Sequence, residues 1–181
     1  RQDDYITSTH RGHGHCIAKG AKLNLMMAEV MGKATGYCKG RGGSMHLVEP
    51  TVNFLGTSAL VGGCLPIAVG TALASKLRGE DRVTVVFFGD GAVEEGAFHE
   101  SLNFASLHRL PIIFVCENNF YAVNSPIASR QPTNASIVGR ARGYGISSAL
   151  VDGNDCMATR EISAEFIARA RLGNGPALIE A

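Results

Sequence analysis

The stretch Val83-Thr84-Val85-Val86-Phe87-Phe88-Gly89-Asp90-Gly91 decides the architecture. From Val83 to Phe88 it is continuously apolar, β-branched or aromatic, the pattern of a strand buried on both faces. Gly89 to Gly91 then turns the chain. Beyond the turn, Glu94 to His108 carries Phe98, Leu102 and Ala105 at helical spacing, and Pro111 to Cys116 reads as a second buried strand. Ser148 to Val151 and Ala177 to Ile179 read as a third and a fourth. Between those two, Ile162, Phe166 and Ala170 recur every four residues and mark a helix. Strand and helix alternating in this way predict an α/β fold, a parallel sheet with helices on both faces.

Upstream, Leu65 to Leu77 predicts a buried, alanine-rich helix with Pro66 in its first turn. Ala21 to Met31 has helix-forming composition and Gly32 is a stop. Met26, Met27 and Met31 read as core or interface packing. Between Gly32 and Gly63 the glycines are dense and long apolar runs are few, so a long functional loop is expected there. Its glycine content lowers the cost of opening, and the segment from Lys33 to Gly62 is expected to exchange its amides readily when no cofactor or partner is bound.

A length of 181 residues fits one domain. With 45% apolar and 18% charged residues, a real core is expected. Lysine plus arginine is 17 against 16 acids, a net charge of +1, which argues against nucleic-acid binding by bulk electrostatics. No stretch approaches the length of a membrane-spanning helix. The cysteines, Cys16, Cys38, Cys64, Cys116 and Cys156, are dispersed and contain no C-x-x-C pair. That favours a reducing cytoplasm over a disulfide framework; a bacterial-type cytoplasm is expected, with the mitochondrial matrix left open because the N-terminus is missing. The chain opens on Arg1 and stops at Ala181 directly after an apolar run, so further sequence is expected at both ends of a single domain covering 1–181.

In parallel sheets, ligands bind outside the carboxyl ends of strands where crossovers diverge. Two polar motifs lie at such ends: Gly89-Asp90-Gly91 and, after 26 intervening residues, Asn118-Asn119. Glycines beside Asp90 let the backbone approach a ligand and offer N–H groups to phosphate oxygens. Asp90 supplies an anionic oxygen and Asn119 an amide oxygen. Magnesium, which takes about six oxygens and commonly uses one or two carboxylates with substrate phosphates, suits that donor set. Taken singly, Gly-Asp-Gly is a turn and Asn-Asn a strand-end cap; only the pair points to a site.

The pair resembles the thiamin diphosphate motif, Gly-Asp-Gly with a final Asn at this separation. Ser8-Thr9-His10-Arg11-Gly12-His13-Gly14, Lys39-Gly40-Arg41-Gly42-Gly43-Ser44-Met45-His46 and Glu117-Asn118-Asn119-Phe120-Tyr121 narrow the resemblance. Together they resemble the alpha subunit of 2-oxo acid dehydrogenase complexes, the group with pyruvate, branched-chain and acetoin dehydrogenases. His13 to Gly20 is most similar to the acetoin branch. By matching position, the resemblance implies Asp90, Asn119 and the Tyr121 carbonyl as magnesium ligands. It implies Gly91 and Ala92 as backbone donors to the diphosphate, and Arg11 and His10 as its side-chain partners. Ala59 and Val61 match positions that hold the aminopyrimidine ring. His13 is either catalytic or lines the cleft, and His46 reads as structural. His10, His13 and His15 together match no zinc spacing. Glu94 and Glu95 read as first-turn acids of a helix.

The resemblance further implies cleavage of acetoin or decarboxylation of pyruvate or a related 2-oxo acid. The acyl unit passes to a lipoyl group on an acyltransferase core. It also implies an assembly of two alpha and two beta chains. The glutamate that activates the cofactor comes, in that family, from the beta chain; no glutamate here takes that role, and the alpha chain alone is expected to be inactive. Two rival readings remain: the amino-terminal subunit of a split transketolase, and a non-catalytic phosphate-binding or scaffold domain. The small residues from Gly62 to Ala74 permit close helix packing, either inside the subunit or between alpha chains.

Overall fold

The computed structural model describes residues 1–181. In chain order the elements are β1 (Tyr5–Thr9), α1 (His13–Ala18), α2 (Leu23–Val30), β2 (Phe54–Ser58), α3 (Cys64–Leu77), β3 (Thr84–Gly89) and α4 (Gly96–Leu107). They continue with β4 (Ile112–Glu117), a short hairpin of β5 (Tyr121–Ala122) and β6 (Ser125–Pro126), α5 (Ile127–Arg130), α6 (Ile137–Gly143), β7 (Ser147–Leu150), α7 (Cys156–Arg171) and β8 (Ala177–Glu180).

Six strands form one parallel sheet in the order β2-β1-β3-β4-β8-β7. Val86, Phe88, Ile112, Phe114 and Leu178 face α3, α4 and α6 and form the main core, with Leu65, Phe98 and Leu102 fully buried against them. The opposite face is covered in two patches. Val83, Ile113 and Ile179 meet Phe166 and Ala170 of α7. Phe54 meets Cys16, Met26 and Leu47 around α1 and α2. The predicted α/β class, parallel sheet and two-sided helical cover are therefore observed. Coverage is uneven, however: β3 alternates buried and half-buried residues, because Val85 and Phe87 point to the less completely covered face.

The sequence reading omitted β1 and β2. The first, Tyr-Ile-Thr-Ser-Thr, is mostly polar, yet Thr7 and Ser8 are buried beside β3. The second lies inside the expected loop and contains Gly56, whose φ of 142° is one that L side chains rarely adopt. Both become strands by pairing with distant partners, an interaction that local pattern does not record. The helix expected from Glu94 starts at Gly96 instead, because Asp90–Glu94 closes as a 3₁₀ turn at the end of β3. No helix is long and apolar enough to cross a membrane.

The glycine-rich loop is held from within. Glu29, fully buried on α2, accepts backbone N–H bonds from Cys38 (2.7 Å) and Gly40 (2.8 Å) on Oε2 and from Gly42 (2.7 Å) and Gly43 (3.1 Å) on Oε1. Burial opposes ionisation of this carboxyl. The Gly40, Cys38, Gly42 and Gly43 amides outweigh it and hold the pKa below the ordinary glutamate value. The expectation of easy exchange throughout Lys33 to Gly62 is accordingly narrowed: the amides bound by Glu29 are not free to exchange without breaking this cluster.

The small residues of α3 divide between two faces. Ala68 and Ala72 are buried in the core, whereas a Cβ built on Gly70 meets nothing within 4 Å. Gly70→Leu is therefore expected to leave the subunit folded and, because leucine suits a helix interior better than glycine, to stabilise it by up to about 1 kcal/mol. Sedimentation of the same variant in the full assembly checks the other half: loss of the oligomer places a chain–chain contact on that face, and an intact oligomer excludes one.

Candidate functional site

The candidate site is a cavity at the carboxyl edge of the sheet, beside the ends of β1 and β3. The crossover leaving β1 runs to β2 at one edge over one face, and the one leaving β3 runs to β4 over the other. Their carboxyl ends thus diverge, the situation in which open α/β sheets bind ligands. There, a cavity of about 250 Å³ is bounded by the segments that follow β1, β2, β3 and β4. Of the residues singled out in the sequence, His10, Arg11, Val61, Asp90, Gly91, Ala92, Asn119 and Tyr121 all line it.

Each wall follows from its local sequence. Gly12 lets the chain turn sharply after β1: a Cβ there would stand 2.5 Å from Thr57 Cγ2 and 2.9 Å from Ser8 Oγ, so only glycine keeps β1, α1 and β2 this close. Arg11 is exposed at the rim. Gly91 is equally constrained, since a Cβ would stand 2.9 Å from the Ala122 Cβ of the hairpin. Asn119 forms an Asx turn, its Oδ1 accepting from the Tyr121 N–H at 3.0 Å. One lone pair remains on that oxygen.

Asp90 is 1% exposed. Its Oδ2 is paired with the Arg130 guanidinium, which also binds Glu94 Oε1 at 2.5 Å. The chain assigns no hydrogen-bond donor to Asp90 Oδ1. Residues carrying a carboxylate (Asp90), an amide (Asn119) and a loop carbonyl (Tyr121) therefore line one cavity, with exposed Arg11 and the turn residues Gly91 and Ala92 beside them. These are hard oxygen donors next to anion-binding groups, and they fit magnesium held together with a diphosphate. Nowhere do three His, Cys, Asp or Glu residues gather into a metal cluster.

Two of the singled-out residues are not on the cavity wall. Ala59 is half-buried between Ser58 and Leu60, which do line it. His13 points instead to the glycine loop, with Nε2 3.0 Å from Ser44 Oγ. The three neighbouring histidines diverge. His10 borders the cavity, whereas His15 lies over Phe87 at 3.8 Å between ring centroids. Its Nδ1 is 2.7 Å from Ser8 Oγ and its Nε2 3.3 Å from Glu117 Oε1. Glu94 is not a first-turn acid of a helix; it ends the 3₁₀ turn and accepts from Arg130 and from Gln131 Nε2 at 3.0 Å. Val61, apolar and core-like in sequence, is 57% exposed at the rim.

Arg130 and Glu29 were not anticipated from sequence. Arg130 ends the four-residue α5, in a stretch too short to show periodicity and without a motif, and its partners are 40 and 36 positions away. Glu29 carried one weak signal, an acid in an otherwise apolar helical stretch preceding a glycine-rich segment. The cysteines are all free. Burial pushes the Cys16 thiol up to about 11, with Glu49 adding to the effect, and pushes the Cys64 thiol up to about 11 as well, so both are poor nucleophiles at neutral pH.

A parallel sheet with a cavity lined by Asp90, Asn119 and Arg11 where its crossovers diverge defines an open α/β protein with its candidate ligand site at the strand ends. The whole chain, residues 1–181, matches the dehydrogenase E1 component family, and the chain belongs to it. It is 50% identical over 177 residues to the alpha subunit of acetoin:2,6-dichlorophenolindophenol oxidoreductase of Bacillus subtilis, covering 98% of this chain and 53% of that one. The corresponding subunit of Cupriavidus necator is 49% identical over 179 residues, covering 98% and 53%. The chloroplastic pyruvate dehydrogenase E1 component subunit alpha-3 of Arabidopsis thaliana is 42% identical over 185 residues, covering 99% and 43%. The chain thus spans about half the length of the curated relatives it matches. Among solved structures, one from Mycobacterium smegmatis, described as a thiamin diphosphate-dependent enzyme, shares the fold. Its TM-score is 0.61 at 21% identity, over 100% of this chain and 28% of that one.

Proposed function

We propose that this chain is the cofactor-binding part of the alpha subunit of a thiamin diphosphate- and magnesium-dependent dehydrogenase that acts on acetoin. The observation that carries the reading is the convergence of Asp90, Asn119, Tyr121 and Arg11 on one cavity at the diverging ends of β1, β3 and β4. Asp90 Oδ1, Asn119 Oδ1 and the Tyr121 carbonyl hold the magnesium ion. The amides of Gly91 and Ala92 and the Arg11 guanidinium, with His10 beside it, hold the diphosphate; a guanidinium fork suits phosphate oxygens. The Ala59 backbone and Val61 border the ring end. When bound, thiamin diphosphate supplies the carbanion chemistry that opens a carbon–carbon bond next to a carbonyl. The chain's own residues bind and orient. His13, off the cavity wall and fastened to Ser44, is the candidate proton-transfer group.

The cavity's size supports a site shared between chains. About 250 Å³ is small beside the roughly 300–1,000 Å³ of complete small-molecule sites. Its rim carries exposed apolar side chains, Leu60 at 76%, Val61 at 57%, Tyr121 at 56% and Val123 at 94%, a surface suited to cover by another chain. That chain is the beta subunit in an assembly of two alpha and two beta chains, and a lipoyl-bearing acyltransferase core takes the acyl unit. Acetoin is preferred because the relatives named for it are 50% and 49% identical, against 42% for one named for pyruvate.

The experiment is to co-purify the full-length subunit with its beta partner and supply magnesium and thiamin diphosphate. Acetoin, pyruvate and branched-chain 2-oxo acids are then offered with dichlorophenolindophenol or a lipoylated acceptor. Acetoin-dependent reduction is expected to exceed the others. A preference for pyruvate moves the assignment to that branch. Ketol transfer between sugars without a lipoyl acceptor supports the transketolase reading, and an assembly that binds no cofactor supports the scaffold.

A further inference from the structure

We infer that Arg130 is a positioning residue for the metal site: it locks one oxygen of Asp90 so that the other is presented to the cation, and it clasps the hairpin that carries Tyr121 onto the Gly-Asp-Gly turn. The inference rests on the cofactor reading above and adds a residue to it.

Arg130 is on α5, 11 residues beyond Asn119, and its side chain is 11% exposed. It is absent from the cavity wall, although Asp90, Asn119, Tyr121 and Ala122 are all on that wall. It therefore meets Asp90 from behind. Each of its three nitrogens has a different partner. Nη2 donates to Asp90 Oδ2, Nη1 to Glu94 Oε1 at 2.5 Å, and Nε to the Ser125 carbonyl at 3.1 Å. The planar fork thus spans the start and the end of the 3₁₀ turn and one strand of the hairpin, a geometry a lysine cannot reproduce.

Two consequences follow. A carboxylate with one oxygen committed to a rigid donor has one rotamer, so Oδ1 is held at the cavity without an ordering cost when the cation arrives. A bare guanidinium beside Asp90 would also repel that cation. Glu94 cancels its charge, leaving Asp90 with its own. Around this pair, Gln131 Nε2 donates to Glu94 at 3.0 Å. Arg140 donates to Gln131 Oε1 at 3.1 Å and to the Val93 carbonyl at 3.2 Å. The Asn119–Gln131 segment is in this way tied to residues 90–94 at several points.

The test uses the full-length subunit with its beta partner, with Mn²⁺ in place of magnesium at saturating thiamin diphosphate. Mn²⁺ affinity and the EPR spectrum of the bound ion are compared in wild type, Arg130→Gln, Arg130→Lys and Glu94→Gln. Loss of an outer-shell partner typically costs 10–100-fold in metal affinity, and about that loss is expected for Arg130→Gln, with a broadened Mn²⁺ signal. Arg130→Lys should recover part of the affinity by binding Asp90 alone. Glu94→Gln should weaken metal binding by uncovering the Arg130 charge. Hydrogen exchange without cofactor reads the clasp separately: residues 120–131 should exchange faster in Arg130→Gln and Arg130→Lys, with β3 and β4 unchanged. Mn²⁺ affinity of Arg130→Gln within twofold of a wild type that binds normally overturns the inference alone. A wild type that binds no Mn²⁺ with the cofactor overturns the cofactor reading and the inference together.

Discussion

Asp90→Ala is expected to abolish magnesium-dependent binding of thiamin diphosphate while leaving the fold in place. Asp90 is the sole carboxylate on the cavity wall, and no cluster of acids stands by to replace it. Its charge offsets the cost of stripping water from a divalent ion; the amide of Asn119 and a carbonyl cannot. The substitution also removes one partner of Arg130. Breaking a buried ion pair by deleting one side costs about 3–5 kcal/mol when the other charge is orphaned. Here Arg130 retains Glu94, on a side chain 32% exposed, so the loss of stability should fall below that range. Calorimetric titration of the alpha–beta assembly, with a thermal melt of the same sample, reads both effects. An unchanged cofactor affinity would sink the assignment of Asp90 as a ligand.

The second large effect is expected at Glu29. Its two oxygens satisfy four backbone N–H groups of the glycine loop, and the chain there comes too close for any alternative packing: a Cβ on Gly36 would stand 2.4 Å from the Glu29 Cα. Glu29→Gln turns one acceptor oxygen into a donor facing amide donors, so at least two of the bonds must break. Charge-assisted bonds of this kind are worth more than neutral ones. Amide exchange at Cys38, Gly40, Gly42 and Gly43 should accelerate at least about tenfold, while the main core keeps its protection. The wild type should lose the same anchor with acid. Since folding lowers this carboxyl's pKa, its contribution is complete above the ordinary glutamate value of about 4.3. It disappears as pH falls through the lower value of the folded state. Exchange measured down this range should open residues 38–43 before β3 and β4. Uniform opening of loop and sheet would show that Glu29 is not the anchor.

Both predictions depend on long-range contacts, and these were the part of the molecule that sequence conveyed least. The strand from Val83, the helices containing Phe98 and Phe166 and the strand at Pro111 were legible because their signal is local. A strand buried by helices on each side needs an apolar run, and a helix covering a sheet needs apolar residues every three or four positions. The candidate ligands Asp90 and Asn119 were legible for a related reason. Parallel strands place their carboxyl ends at one edge, so two polar motifs that each follow a strand are brought to the same edge by topology alone.

What tertiary structure alone decided lies where the energy comes from distant partners. Tyr5–Thr9 carries a polar sequence and is a central strand because β2 and β3 pair with it on either side. His13 belongs to the same short motif as His10 and Arg11, yet as the first residue of α1 it meets Ser44 rather than the cavity. Glu29 is buried in its charged form only because a segment beginning nine residues later folds its N–H groups back onto it. The sequence by itself determined four of the six sheet strands, β3, β4, β7 and β8, the helices that cover them and the strand end at which a charged ligand would be met. The fold decided which side chains reach that place, because a carboxylate such as Asp90 is oriented by a guanidinium 40 residues away, and hydrogen bonds across that separation leave no periodic trace in the chain.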